Sequence, residues 1–253
     1  MICADKRLQK ADAAMGEAYA TILKATVDAE IRSALVASQK RWLSRRDEQL
    51  GQVNENDASG EDSRGILLQA MQDRTRDLAR RSDTDPKLPR LVAIMLEQQK
   101  FAAQFTGGAF AGFDTSCDFL PGGGRYSYGC FAIQHYQNRD RVCTLDQDWA
   151  SGSVYEKHAV AEVVDGRLKT IATCSIGGDD DNPCPGAEAQ SGQSASWNIH
   201  PKVSSGAGNP PAHPLPRLDA DVNAETDAPW LHACLTDSAY PLADPASGGS
   251  GAP

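Results

Sequence analysis

Apolar positions in the first third of the chain recur at helical spacing. Over residues 5–26 they are Leu8, Met15, Tyr19, Ile22 and Leu23, with Lys and Glu between them, which predicts an amphipathic helix. Residues 28–50 repeat the pattern with Ile31, Leu35, Trp42 and Leu43, and Asp28 stands where an N-cap belongs. Residues 51–60 are a polar loop, and residues 61–81 give a third helix around Ile66, Leu67, Met71 and Leu78. Short connections between three such helices predict an antiparallel three-helix bundle. The run Asp83 to Pro89 is a breaker, and Leu91 to Phe105 has room for one more helix before Gly107-Gly108.

From Phe110 the pattern changes. Tyr126–Ile133, Arg141–Leu145, Ala159–Val164 and Leu168–Ser175 read as strands, and Asp165-Gly166 is a two-residue hairpin signal. Residues 176–229 show no periodicity and predict coil, with residues 201–229 and 245–253 expected not to pack. Trp230 to Leu235 is a short apolar island able to dock on the sheet through Cys234. The expected fold is therefore α+β: an N-terminal antiparallel three-helix bundle, a small disulfide-stapled antiparallel β module and a coil-rich tail. The corresponding segments are 1–83, 84–109 (linker and possible helix), 110–175 and 176–253.

Composition sharpens this division. Residues 1–82 carry 14 Lys+Arg against 13 Asp+Glu, and the remainder 11 against 21, giving the net charge of -9. All 14 Pro and 18 of the 22 Gly lie beyond residue 83. The acidic balance argues against nucleic acid as a partner. No apolar run is long enough for a transmembrane segment.

Six of the seven cysteines, Cys117, Cys130, Cys143, Cys174, Cys184 and Cys234, are dispersed through the loop-rich part, the pattern of a disulfide framework rather than of a zinc site. Among the many possible pairings, Cys117–Cys130, Cys143–Cys174 and Cys184–Cys234 are expected. Such bridges imply export, although Met1 to Lys6 lacks an apolar export segment. Either the chain is cytosolic or this start lies inside a longer precursor.

Candidate chemistry is sparse. No GxSxG, HExxH or Walker loop occurs, so no catalytic residue, metal or cofactor is expected and the chain does not read as an enzyme. His135, His158, His200, His213 and His232 are scattered. Gly122–Gly124 reads as a turn, the Asp179-Asp180-Asp181-Asn182 cluster as a solvated loop, and Asp146/Asp148 as carboxylates with no further sign of acid–base work.

The helix stripes themselves carry polar groups. Asp12 lies among Leu8, Met15 and Tyr19; Gln39 and Arg46 flank Trp42; Arg74 follows Met71. An antiparallel turn near residue 27 would level Leu8 with Arg46, Asp12 with Trp42, Met15 with Gln39 and Tyr19 with Leu35. Asp12 is then expected to accept from the Trp42 indole and to pair with Arg46, Arg74 or both. The structural network Asp12, Gln39, Trp42, Arg46 and Arg74 is expected to satisfy itself internally and fix helix register.

Two of these stripes carry a recognisable signature. Ile2-Cys3-Ala4-Asp5, Leu8, Asp12, Met15 and Tyr19, then Gln39-Lys40-Arg41-Trp42-Leu43-Ser44-Arg45-Arg46-Asp47, resemble the N-terminal domain of the LprI-like lysozyme inhibitor family over about the first 80 residues. The third-helix element is only partly met, by Ile66 to Leu78. Members tend to carry cysteines where Leu50 and Ile66 stand, which implies an apolar contact in place of a disulfide. The resemblance implies an exported envelope protein, periplasmic or secreted, that binds and blocks lysozyme, with a partner for Cys3 encoded upstream. Lysozymes are mostly basic, so the acidic C-terminal part would steer the encounter and the nearly neutral helices would supply shape. The alternative is a non-enzymatic envelope structural or interaction module. Residues 84–253 carry no family resemblance.

Overall fold

The three expected helices and the further one for which Leu91 to Phe105 had room are present in the computed structural model, so the helices number four rather than a bundle of three: α1 (Lys6–Ala25), α2 (Ala29–Arg45), α3 (Gly60–Ala79) and α4 (Arg90–Ala102). The fourth completes the apolar face that three helices leave open, burying Leu91, Val92 and Met95. The structure describes residues 2–50, 60–122, 125–150, 153–177, 182–185, 195–199, 201 and 209–241. Residues 51–59, Gly123, Gly124, Asp179–Asp181, His200 and 245–253, on which sequence expectations fell, lie outside these.

The helix boundaries follow from local chemistry. The Asp5 carboxylate caps α1 by accepting from the backbone N–H of Arg7 (2.8 Å) and Leu8. Asp28 caps α2 through the Ile31 N–H at 2.9 Å, as its position predicts. The Arg32 guanidinium donates back to the Leu23 and Thr26 carbonyls, closing the end of α1. Helix α2 runs on into a π-helical turn, Arg46–Leu50, whose Leu50 is buried. Helix α1 lies along α3, and its Asp12 also reaches Arg46 just past the end of α2.

The β part is a five-stranded antiparallel meander, larger than expected: β1 (Gly112–Gly122), β2 (Arg125–Asn138), β3 (Arg141–Ala150), β4 (Ser153–Val164) and β5 (Arg167–Ile176), in sheet order β1-β2-β3-β4-β5. Strand β1 was not expected, because Gly and Pro flank it. Asp165 (φ 52°) and Gly166 (φ 73°) both adopt the left-handed conformation, the two-residue hairpin turn their sequence predicts. The apolar island forms α5 (Pro229–Thr236), with Pro229 at its first turn.

The chain divides into two compact units: Met1–Gln99 with Thr115–Cys130 and Leu218–Asn223, and Lys100–Asp114 with Phe131–Arg217 and Ala224–Pro253. The first unit's core gathers Leu8, Met15, Ile31, Leu35, Trp42, Met71 and Met95 together with Phe119 from β1. Leu218, Ala220 and Val222 are also buried, which corrects the expectation that residues 201–229 stay unpacked. Alternate apolar residues give this Pro-flanked segment enough surface to bury against the helices. In the second unit, Leu231, Cys234 and Leu235 of α5 pack with Phe101, Tyr136, Cys143 and Val160.

Three disulfides tie the β part. Cys117–Cys130 links β1 to β2. The other two expected pairs are exchanged: Cys143 of β3 bonds Cys234 of α5, and Cys174 of β5 bonds Cys184. The reason is topological. Strand β4 lies between β3 and β5, so Cys143 and Cys174 belong to non-adjacent strands. Cys3 is a free, exposed thiol.

Candidate functional site

The densest polar cluster lies in the first unit, where the helices grip residues 218–223. Arg41 projects from α2 one residue before Trp42. Its Nη2 lies 2.7 Å from Asp219 Oδ1 and 2.6 Å from Asp221 Oδ2. Its Nε adds a bond of 3.2 Å to Asp221. From α3, Arg74 donates to Gln39 Oε1 (3.1 Å), to Ser38 Oγ (2.6 Å) and to Asp221 (3.4 Å). Ser38 Oγ in turn donates to Asp221 Oδ1 at 2.7 Å. Two arginines and two aspartates thus neutralise each other where little water reaches. Burial works against the Arg41 charge, but Asp219 and Asp221 outweigh it and hold the guanidinium above its usual range.

Backbone capture completes the clasp. Gln98 of α4 is buried; its Nε2 donates to the Asp219 and Val222 carbonyls, both at 2.9 Å, and its Oε1 accepts from the Asp219 N–H at 2.9 Å. Gln49, in the π-helical turn, reaches β1: its Nε2 donates to the Asp118 carboxylate and its Oε1 accepts from the Phe119 N–H. A cavity of about 160 Å³ borders the cluster, with Arg74, Asp77, Arg90, Tyr128, Asp221 and Asn223 on its wall. Burial and the nearby Asp221 charge push the Tyr128 phenol up to about 12. The paired charges suit a clasp that fixes residues 218–223 on α2 and α4.

The residues expected to form a network divide into two groups. Gln39 and Arg74 meet in the clasp just described. Asp12, Arg46 and Trp42 meet elsewhere: Arg46 Nη1 lies 3.2 Å from Asp12, and the Arg46 guanidinium carbon sits 5.7 Å over the Trp42 ring. Asp12 has no pairing with Arg74 among its ion pairs, and its side chain remains 46% exposed, so this is a rim pair rather than a buried one. Trp42 is packed edge-on to Phe119, with ring centroids 5.9 Å apart. Tyr19 and Ile66 are half-buried against the same core, and Leu50 is fully buried in it. Ser38, Arg41, Gln98, Asp219 and Asp221 escaped sequence reasoning. The one local signal was the alternation of Asp219 and Asp221 with Leu218, Ala220 and Val222.

The second unit carries the acidic surface. Asp146 and Asp148 share one face of β3, in register with Lys157 and Tyr155 of β4. Burial, then the charges of Asp148 and Asp114, raise the Asp146 carboxyl above its ordinary value, with Lys157 opposing. On the opposite face His158 stacks on Trp230 at 4.2 Å, and its Nε2 lies 3.4 Å from Glu156. The hydrogen bond from His158 is the main cause that lowers the Glu156 carboxyl. His135 faces Thr144 at 3.0 Å, His232 lies edge-on to Phe101 and His213 is exposed. Among the described residues, two groupings of three metal-ligand types occur, His158/Cys174/Cys184 and Cys117/Cys130/Asp221. In both, the sulfurs are spent in disulfides.

Comparison with known proteins bears on the N-terminal segment. Residues 1–81 match the family described as Lysozyme inhibitor LprI. No curated protein and no solved structure matches the chain. The matched segment contains α1, α2 and α3 and stops before the sheet. Within it, Asp5 caps α1, Leu8, Met15, Leu35 and Trp42 fill the core, and Gln39 joins the clasp. No helix among the described residues is long and apolar enough to cross a membrane.

Proposed function

We propose that this chain is an exported envelope protein, periplasmic or secreted, that binds and inhibits lysozyme. The match of residues 1–81 to a family of lysozyme inhibitors carries the reading. Three disulfides support an oxidising compartment. Charge supports the partner: the excess of acidic groups beyond residue 82 suits the encounter with a basic protein. In this account the helical segment is the scaffold and the acidic second unit makes the contact. The matched family consists of inhibitors rather than enzymes, and the chain acts by binding, with no cofactor.

A second reading, a structural or interaction module with another partner, draws on one observation. The motif residues Leu8, Gln39 and Trp42 are buried, so the motif encodes a fold before it encodes a contact. Calorimetric titration separates the two. The first reading predicts saturable binding of lysozyme by the disulfide-formed protein, with weaker or no binding of a cationic control such as cytochrome c. Equal, salt-abolished binding of both proteins favours the second.

A further inference from the structure

The exposed large apolar side chains are not evenly spread. Six occur among the described residues, and three of them, Trp149 (37% exposed), Val154 (52%) and Ile176 (37%), meet at one end of the sheet in the second unit. The others stand apart: Val27 between α1 and α2, Leu96 on α4 and Val164 at the far end of β4. Strand register places the three together. Trp149 of β3 is the direct partner of Val154 on β4, and Ile176 of β5 is the direct partner of Glu156, two residues beyond Val154 on the same face. Further along this face α5 covers the sheet, with Trp230 stacked on His158. Trp149 and Val154 lie outward of His158 on their strands.

Carboxylates lie on both faces of the hairpin that carries this patch. Glu156 is on the same face, and Asp146 and Asp148 are on the reverse face of the same hairpin with Asp114 near them. Lys157 is the one described cation in β3–β4 between Val142 and Val160. An apolar cluster rimmed by charge is the surface form of a protein contact, whereas scattered single apolar residues are ordinary. A half-exposed indole amid carboxylates suits a partner that offers arginine or lysine: the ring accepts the cation on its face and the carboxylates pair with its neighbours.

We infer that the open end of the sheet, Trp149, Val154 and Ile176 with Asp148 and Glu156, is the surface that meets lysozyme. This rests on the function proposed above and goes beyond it by assigning the contact to the β3–β4–β5 end rather than to the matched helices. Trp149 is the anchor, and Asp148 and Glu156 set the approach of the basic partner.

The test is calorimetric titration of lysozyme into the full, disulfide-formed chain and into Trp149→Ala, Asp148→Lys and the control Val27→Ser. The expected result is a loss of at least about tenfold in affinity for Trp149→Ala, the behaviour of an aromatic anchor. Asp148→Lys should slow association and flatten its salt dependence, and Val27→Ser should bind as the parent does. If Trp149→Ala also lowers the melting temperature, Asp148→Lys decides, since its side chain is exposed. A parent that binds lysozyme while Trp149→Ala and Asp148→Lys bind it equally well overturns this surface and leaves the proposed function standing. A parent that does not bind lysozyme overturns both.

Discussion

Arg41 and Asp219 lie 178 positions apart in sequence, yet their side chains are in contact at 2.7 Å. This pair and its neighbour Asp221 join the end of a helical motif to a segment that sequence patterning assigns to coil. Removing Arg41 takes the cation from Asp219 and leaves Asp221 with only the longer bond to Arg74, in a place where each carboxylate is about 95% shielded from water. Arg41→Ala should therefore destabilise the first unit by roughly 3–5 kcal/mol. Urea unfolding followed by far-ultraviolet circular dichroism measures it, and a loss under about 1 kcal/mol, typical of a surface pair, would show that the clasp is not closed in solution.

Asp12 behaves differently, although its sequence position on a helix stripe suggested a buried pair. With its side chain half in water, its bond to Arg46 is a rim interaction. Asp12→Ala should cost no more than about 1 kcal/mol. A fall comparable with that of Arg41→Ala contradicts this assignment.

Gln98 tests the clasp without touching a charge. Truncation to Ala leaves the Asp219 N–H and the Asp219 and Val222 carbonyls without their partner in a buried place. The expected cost is about 2 kcal/mol or more. Hydrogen exchange should show the Asp219 amide opening far faster than in the parent, and unchanged protection there would refute the role.

The helices were legible in the sequence because each is stabilised by a repeat within itself: Leu8, Met15 and Ile22 in one, Ile31, Leu35 and Trp42 in the next. The caps at Asp5 and Asp28 are local too. Strand β1 was legible in principle, since Phe113, Cys117 and Phe119 alternate with exposed or half-exposed residues. The Gly and Pro residues around it carried the opposite signal. The clasp was hidden for a different reason. Its members come from α2, α3, α4 and a segment beyond residue 217, and no window of sequence holds both an arginine and its aspartate. Disulfide pairing failed in the same way, because it depends on which strands are neighbours, and that is a property of the whole sheet.

The disulfide map is directly checkable. Non-reducing peptide mass spectrometry should find the Cys143 peptide joined to that of Cys234, and Cys174 joined to Cys184. Replacing Cys143 and Cys234 by Ser together frees α5 from β3 and should cost about 2–5 kcal/mol. A Cys143–Cys174 peptide would contradict the observed sheet order.

Asp146 predicts a pH signature. Its folded-state carboxyl titrates above the ordinary 3.8, chiefly from burial and then from Asp148 and Asp114. A raised value means that the folded state favours the protonated form. Stability is then highest below 3.8 and falls as pH rises through the raised value. Asp146→Asn removes the ionisation. It should match the parent near pH 3 and exceed its stability at neutral pH, as read from urea midpoints across that range. A neutral-pH midpoint at or below the parent's would contradict a carboxyl raised by burial and by its acidic neighbours.

Inhibition of lysozyme is read from the clearing rate of a bacterial cell-wall suspension. Lysozyme is held fixed while the disulfide-formed protein is added in rising amount. Clearing should slow in proportion to the protein added, and Trp149→Ala should be needed in larger amount for the same effect. Clearing that runs at the same rate at a large molar excess of protein over lysozyme would contradict inhibition.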